Sequence, residues 1–211
     1  MSTMHKILPV LTAGLVMALS SQAMARTGKE IAAVFDTGVA AYDAGNYEQA
    51  FKIWWDLQFE DVAAMRNVAM MLRSGQGVQR DPRKAEVILE RAARAGLPTA
   101  QADLADMLLK GEAGDPDPKA ALPLLVAAAK ANHPVAQFQL AQMYETGANG
   151  LVPVDIELAR QLYAAAATRG VQGAIDRLAI IGPPQPVQPP VQTAPGATQA
   201  TLVPTPPAAT P

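Results

Sequence analysis

A segment of about 36 residues is repeated three times along this chain, and this repetition restricts the fold more than any other feature. Each copy carries an alanine, a glycine and an aspartate in matching register: Ala64, Gly75 and Asp81, then Ala100, Gly111 and Asp117, then Ala136, Gly147 and Asp155. A period between about 20 and 50 residues is typical of a solenoid, whose units bury their apolar faces only against neighbouring units. The repetition therefore favours recognition along a surface over catalysis in a pocket.

Each copy divides into two helices joined by a turn. In the first copy Ala64, Val68 and Leu72 recur at helical spacing, and Gly75 suits the left-handed residue that ends a helix. An aspartate then caps the second helix, because its carboxylate accepts the free amide protons of the first turn. The spacing predicts second helices at 82–95, 118–131 and 156–168, and Pro123 is expected to kink or weaken the middle one. The predicted fold is all-α, a right-handed α/α superhelix (solenoid) of helix-turn-helix repeats.

The spaced residues resemble a known family. The pattern Ala-x-x-x-Leu/Val-Ala-x-Met-Leu/Tyr-x-x-Gly, followed by Gly-x-Gly-Val, Asp-x-x-x-Ala and Ala-Ala-x-x-Gly, is similar to the Sel-one-like repeat, a branch of the tetratricopeptide class. The second copy departs from it with Asn132 where glycine is expected, and the third has a longer turn. The resemblance implies a scaffold or adaptor, and exported bacterial members resemble envelope regulators that bind sensor or assembly proteins.

Further helices extend the array at both ends. Residues 29–61 keep a related pattern that includes Gly38, Tyr42 and Trp54, and they resemble a plain tetratricopeptide repeat. The resulting repeat domain covers 29–181 and is expected to form one cooperative domain. Its predicted units are 29–61, 62–97, 98–134, 135–172 and a terminal helix at 173–181.

The two ends of the chain differ in character from the repeats. Residues 1–25 combine Lys6, an apolar run of 13 residues at 7–19 and a small-x-small site before residue 26, which predicts a secretory signal peptide. The alternative is a membrane anchor. A helix that crosses a membrane needs about 20 apolar residues, which is more than this run of 13 supplies. Residues 182–211 hold ten prolines and no charge, which predicts a disordered spacer.

Composition excludes several function classes. The chain has no cysteine, hence no disulfide and no thiol nucleophile, and its net charge of −2 gives no footprint for nucleic acid. After residue 25 the chain holds one serine, Ser74, and one histidine, His133, which is expected to be an exposed loop residue. We therefore predict no catalytic residues, no metal, no cofactor and no enzyme activity. The expected location is the periplasm, with secretion as the alternative.

Repeat alignment brings polar residues to equivalent positions on the first helices, which line the concave face in arrays of this class. These residues form the candidate partner-binding groove: Asn67, Asp103, Gln139 and Arg177 at one position, and Met70, Asp106 and Gln142 at another. Plain solvated helix faces are the alternative interpretation.

Trp55 is the remaining candidate. It aligns with variable positions, so it is expected either to anchor a partner, to stack on a glycan or to cover the end of the array. The predicted function is a periplasmic protein–protein interaction scaffold or adaptor. The alternative is a cell-wall glycan-binding accessory or envelope enzyme, in which Trp55, Asp103 and Asp106 act.

Overall fold

The computed structural model describes residues 26–185, so the predicted signal peptide and all but four residues of the predicted tail lie outside the described residues. All regular structure between these limits is helical, which confirms the predicted all-α repeat solenoid. The helices are α1 (Gly28–Asp43), α2 (Tyr47–Leu57), α3 (Val62–Ser74), α4 (Pro82–Arg94), α5 (Pro98–Lys110), α6 (Pro118–Lys130), α7 (Pro134–Thr146), a short 3-10 helix (Ala148–Gly150), α8 (Ile156–Ala167) and α9 (Gln172–Ile181).

Aspartates begin the second helix of every repeat, as the sequence predicts. The carboxylate of Asp81 accepts the amide of Lys84 at 3.0 Å, that of Asp117 accepts Ala120 at 2.9 Å, and that of Asp155 accepts Leu158 at 2.9 Å. Such caps satisfy amide groups that have no partner inside the helix. The three second helices begin at the predicted residues and end within one residue of their predicted ends.

Left-handed residues end the helices where the repeat places glycine. Gly75 ends α3 with φ of 78°, and its amide donates to the carbonyl of Met71. Asn132, which replaces the expected glycine after α6, has φ of 60°. Asparagine is among the few residues other than glycine that tolerate the left-handed region, so the turn is formed despite this departure from the family pattern.

The chain forms two compact units, and the division lies within α4 between Ile88 and Leu89. In the amino-terminal unit α1 packs on α2, and α2 packs on α3. Trp54 is buried there, with 4% of its surface exposed. Gly38 makes this packing possible, because a Cβ at that position would overlap the indole of Trp54.

The carboxy-terminal unit stacks its helices in chain order, with α5 on α6, α6 on α7, α7 on α8 and α8 on α9. Its core is rich in alanine, which allows helix axes to approach closely. Ala121, Ala128 and Ala136 are fully buried in one cluster, and Ala159 and Ala166 in the next.

Helix α6 runs without interruption through Pro123, which is exposed and lies in its interior. Pro123 therefore does not break α6. The expectation that it weakens this helix stays a prediction. None of the helices between residues 26 and 185 combines the length and apolar character needed to cross a membrane.

Candidate functional site

The seven predicted groove residues all lie on first helices. Asn67 and Met70 belong to α3 in the amino-terminal unit, whereas the other five belong to α5, α7 and α9 in the carboxy-terminal unit. Only Gln142 is exposed, and the other six are half-buried.

Asn67 and Met70 line a cavity of about 360 Å³ in the amino-terminal unit. Three helices and the turn after α3 build it, from Tyr42, Trp54, Arg66, Asn67, Met70, Met71 and Gln76. The sequence predicted two of these residues as groove residues. Tyr42 and Trp54 belong to the first hairpin, which diverges in sequence from the three aligned copies.

Aromatic rings fix the inner side of this cavity. The Trp54 ring centroid lies 5.9 Å from that of Phe35 and 5.8 Å from that of Tyr42. Its indole nitrogen donates to the carbonyl of Phe35 at 3.3 Å, which satisfies its one polar group. The Tyr42 hydroxyl donates to Oε1 of Gln76 at 2.8 Å and thereby holds the turn against α1.

In the carboxy-terminal unit the structure brings together two of the predicted residues. Asp106 on α5 accepts Nε2 of Gln139 on α7 at 3.1 Å, and it also accepts Nζ of Lys110 at 2.8 Å. Asp106 thus links two successive first helices. Asp103 lies half-buried one turn before it, and Gln142 lies exposed one turn after Gln139.

Arg177 contacts a residue that the sequence analysis did not select. Its guanidinium donates to both carboxylate oxygens of Glu145, with Nε at 2.8 and 2.9 Å, and Nη2 bonds to Oε1 as well. The buried Tyr163 hydroxyl donates to the same carboxylate at 2.8 Å. Arg177 of α9 is therefore tied to α7, and Tyr163 of α8 completes the network.

This network shifts the pKa values of its members. Hydrogen bonds from Arg177 hold the pKa of the Glu145 carboxyl below its ordinary value of 4.5, against the opposing effect of burial. Burial and the hydrogen bond to Glu145 raise the pKa of Tyr163. A buried tyrosine hydroxyl needs a partner. The sequence signal for a nearby acceptor is therefore Tyr163 itself, because the equivalent positions of the other repeats hold Leu89 and Leu125.

Trp55 is half-buried on α2. Its ring stacks on Phe51 with centroids 5.5 Å apart, and Nζ of Lys84 lies 4.6 Å from the centre of a Trp55 ring. Because Phe51 and Lys84 cover part of the indole, less of its surface is available to a partner than an exposed tryptophan would offer. Its role as an anchor stays a prediction.

His133 differs from its expected role as an exposed loop residue. It is half-buried, and its Nδ1 accepts the amide of Ala136 at 3.3 Å, so it caps α7. The residue lies in the loop before α7 as expected, and only the expected exposure was wrong. Histidine is not among the usual capping residues, although a neutral imidazole nitrogen can accept a hydrogen bond. Across residues 26–185 no three histidine, cysteine, aspartate or glutamate residues come together as a metal-binding group.

Comparison with known proteins identifies the repeat. The family model of the Sel1 repeat matches residues 62–97, 98–133 and 134–171. This chain belongs to the Sel1 repeat family. Sel1 repeats generally mediate protein–protein interaction, and scaffolds of this family are typically non-catalytic.

Solved structures of Sel1 proteins are similar to this chain. A Sel1 repeat protein from Oxalobacter formigenes is 30% identical, with a TM-score of 0.64 over 68% of this chain. The protective antigen c5321 of uropathogenic Escherichia coli, which displays an SLR fold, is 26% identical, with a TM-score of 0.65 over 70% of this chain. The matches cover 58% of the first protein and 32% of the second.

A third structure shares the fold alone. The immunity protein Pa5087 from Pseudomonas aeruginosa is 21% identical, with a TM-score of 0.53 over 72% of this chain and 58% of its own. No curated protein matches the chain.

Proposed function

We propose that this Sel1 repeat protein is a scaffold or adaptor of the bacterial periplasm, which binds a partner protein along its first helices and serves as an envelope regulator. The observation that carries the proposal is the contact between Asp106 and Gln139 on successive first helices, with Gln142 exposed beside them. Repeats that present side chains at regular spacing add modest contacts over a long surface. A protein segment is a suitable ligand for such a surface.

The chemistry of this surface suits a polar partner segment. Asp103 and Asp106 supply carboxylates, and Gln142 supplies an exposed amide that both donates and accepts hydrogen bonds. Asp106 already has two donors, so a partner cation that approaches it competes with Lys110, whose side chain is 59% exposed. The surface is therefore expected to favour a partner with basic or amide groups.

The periplasmic location is supported by the sequence. The apolar run at 7–19 and the small-x-small site before residue 26 have the form of a secretory signal. The chain also lacks the cysteine that a lipoprotein anchor requires. Fractionation of cells that express the full chain tests this part of the proposal, since recovery in the cytoplasm with residues 1–25 still attached would contradict it.

Crosslinking in living cells tests the partner surface. A photo-activated amino acid at position 142 is expected to capture a protein, identified by mass spectrometry, and the double variant Asp103→Lys with Asp106→Lys is expected to lose at least tenfold of the captured amount. The matched control reverses two exposed acids elsewhere, Asp43→Lys with Asp115→Lys, and should retain capture. Equal capture by both double variants, at equal thermal stability, would show that partners bind elsewhere.

The alternative is a cell-wall glycan-binding accessory or envelope enzyme. Retention of the full chain on purified cell wall, with no crosslinked protein, would favour it over the scaffold. Trp55→Ala should then abolish retention, because the indole is the proposed stacking surface.

A further inference from the structure

From the cavity on α3 we infer that the amino-terminal unit holds an anchor pocket for one large apolar side chain, of the leucine, methionine or phenylalanine class, on an extended partner segment. The inference rests on the proposed scaffold function and names the chemistry by which the partner is recognised. The pocket consists of Tyr42, Trp54, Arg66, Asn67, Met70, Met71 and Gln76.

Size and lining define the occupant. A volume of about 360 Å³ lies at the lower end of the range for small-ligand pockets, which suits a side chain together with its own peptide group. Trp54 and Met71, exposed by only 4% and 2%, close the inner end of the pocket. The half-buried Tyr42 and Met70 supply the apolar surface that an occupant can reach. An apolar group that fills this space removes more apolar surface from water than an alanine methyl does, so it is expected to bind more tightly.

The same lining disfavours a sugar. A glycan needs an accessible aromatic face, and Trp54 is buried between Phe35 and Tyr42, with both ring centroids within 6 Å. Methionine side chains are flexible and polarizable, so Met70 and Met71 can adapt to side chains of different shape. The pocket therefore suits a class of apolar side chains rather than a single ligand.

Two amides at the pocket match the needs of a peptide backbone. The Tyr42 hydroxyl donates to Oε1 of Gln76 at 2.8 Å, and the same amide carries two N–H donors at Nε2. Within residues 26–185 neither Nε2 of Gln76 nor the Asn67 amide has a hydrogen-bond partner. Asn67 and Gln76 can thus bond the carbonyl and amide of the residue whose side chain enters the pocket.

Methionine methyl groups allow a direct test in the full chain. Of the nine methionines, five lie in the described residues: Met65, Met70, Met71, Met107 and Met143. The protein labelled with ¹³C at the methionine methyls is titrated with the blocked peptides acetyl-Gly-Leu-Gly-amide, acetyl-Gly-Phe-Gly-amide and acetyl-Gly-Ala-Gly-amide. The leucine and phenylalanine peptides should shift Met70 and Met71 saturably, with dissociation constants of about 1 to 10 mM. The alanine peptide should bind at least tenfold more weakly, and Met107 and Met143 should not move.

Matched variants distinguish binding in the pocket from nonspecific binding. Met70→Glu should weaken the leucine peptide at least tenfold, and Met70→Leu should keep it within threefold. Ile180→Glu, at an apolar position of the carboxy-terminal unit that is 72% exposed, should leave it unchanged. Any of three results would overturn the inference. The first is equal shifts with the alanine peptide, and the second is equal shifts at Met143. The third is shifts of Met70 and Met71 with a disaccharide of N-acetylglucosamine and not with the peptides. Failure of the proposed function is distinguishable, since that is read from crosslinking at position 142.

Discussion

The carboxylate of Glu145 connects the last helices of the carboxy-terminal unit. One side chain, 11% exposed, accepts hydrogen bonds from Arg177 of α9 and from Tyr163 of α8. It therefore joins three helices at the carboxy-terminal end of the repeats. Because the acceptor must be ionised to accept from all these donors, the strength of this junction depends on pH.

We expect Glu145→Gln to lower the free energy of unfolding by about 1 to 3 kcal/mol near neutral pH, because charged hydrogen bonds are replaced by neutral ones. The pKa of Glu145 is lowered in the folded protein, so its contribution is present above the ordinary value of 4.5 and is lost as pH falls through the folded value. The gap between wild type and Glu145→Gln should therefore shrink when urea unfolding is repeated at about pH 3. Glu48→Gln, at an exposed position, should show little change at either pH; a gap for Glu145→Gln that is the same at both would contradict this account.

Arg177 shows what a repeat alignment leaves out. Its position on the first helix follows from the period, and the structure places it there. Its partner does not follow, because Glu145 lies 32 residues away, and the equivalent positions in the other copies hold Leu109 and Arg73. The residue type at the partner position differs between the copies, so the repeat pattern alone does not identify the partner.

Pro123 tests the stability of a single helix. Its ring nitrogen has no proton to donate to the carbonyl of Lys119, and α6 nevertheless continues to Lys130. We expect Pro123→Ala to raise the free energy of unfolding by about 1 to 3 kcal/mol, measured by urea unfolding, because alanine restores the donor and suits the helix interior.

A second proline in the same helix is the control for Pro123→Ala. Pro118 is the first residue of α6, where no intrahelical amide bond is needed. Pro118→Ala should therefore leave stability unchanged or slightly reduced. Equal effects of the two substitutions would mean that the neighbouring helices, rather than the backbone of α6, set its stability.

Local chemistry explains why the elements were predictable and the cavity was not. Asp81, Asp117 and Asp155 act through amides three residues away, so their caps can be recognised from a few adjacent letters. The cavity instead requires Tyr42, Trp54 and Met70 from three helices. Its shape depends on how the divergent first hairpin packs on α3, which no local pattern encodes.

At the scale of the whole molecule, α4 belongs to both compact units. Residues Ala85 and Ile88 are buried on one side of the division, and Leu89 and Ala92 are buried on the other. The helix is continuous across these residues. The sequence predicts one cooperative domain.

We expect the two units to unfold together, because a disruption of α4 in one unit removes its helical turns from the other. Both tryptophans, Trp54 and Trp55, lie in the amino-terminal unit, so their fluorescence reports that unit, whereas circular dichroism at the helical band reports all helices. The two urea transitions of the wild type should coincide in midpoint.

Glu90→Pro, in the interior of α4, should separate the two transitions, because proline interrupts the helix at a cost of about 3 kcal/mol or more. Glu90→Ala should keep them together. Separate midpoints in the wild type would mean that the repeats do not share one cooperative transition.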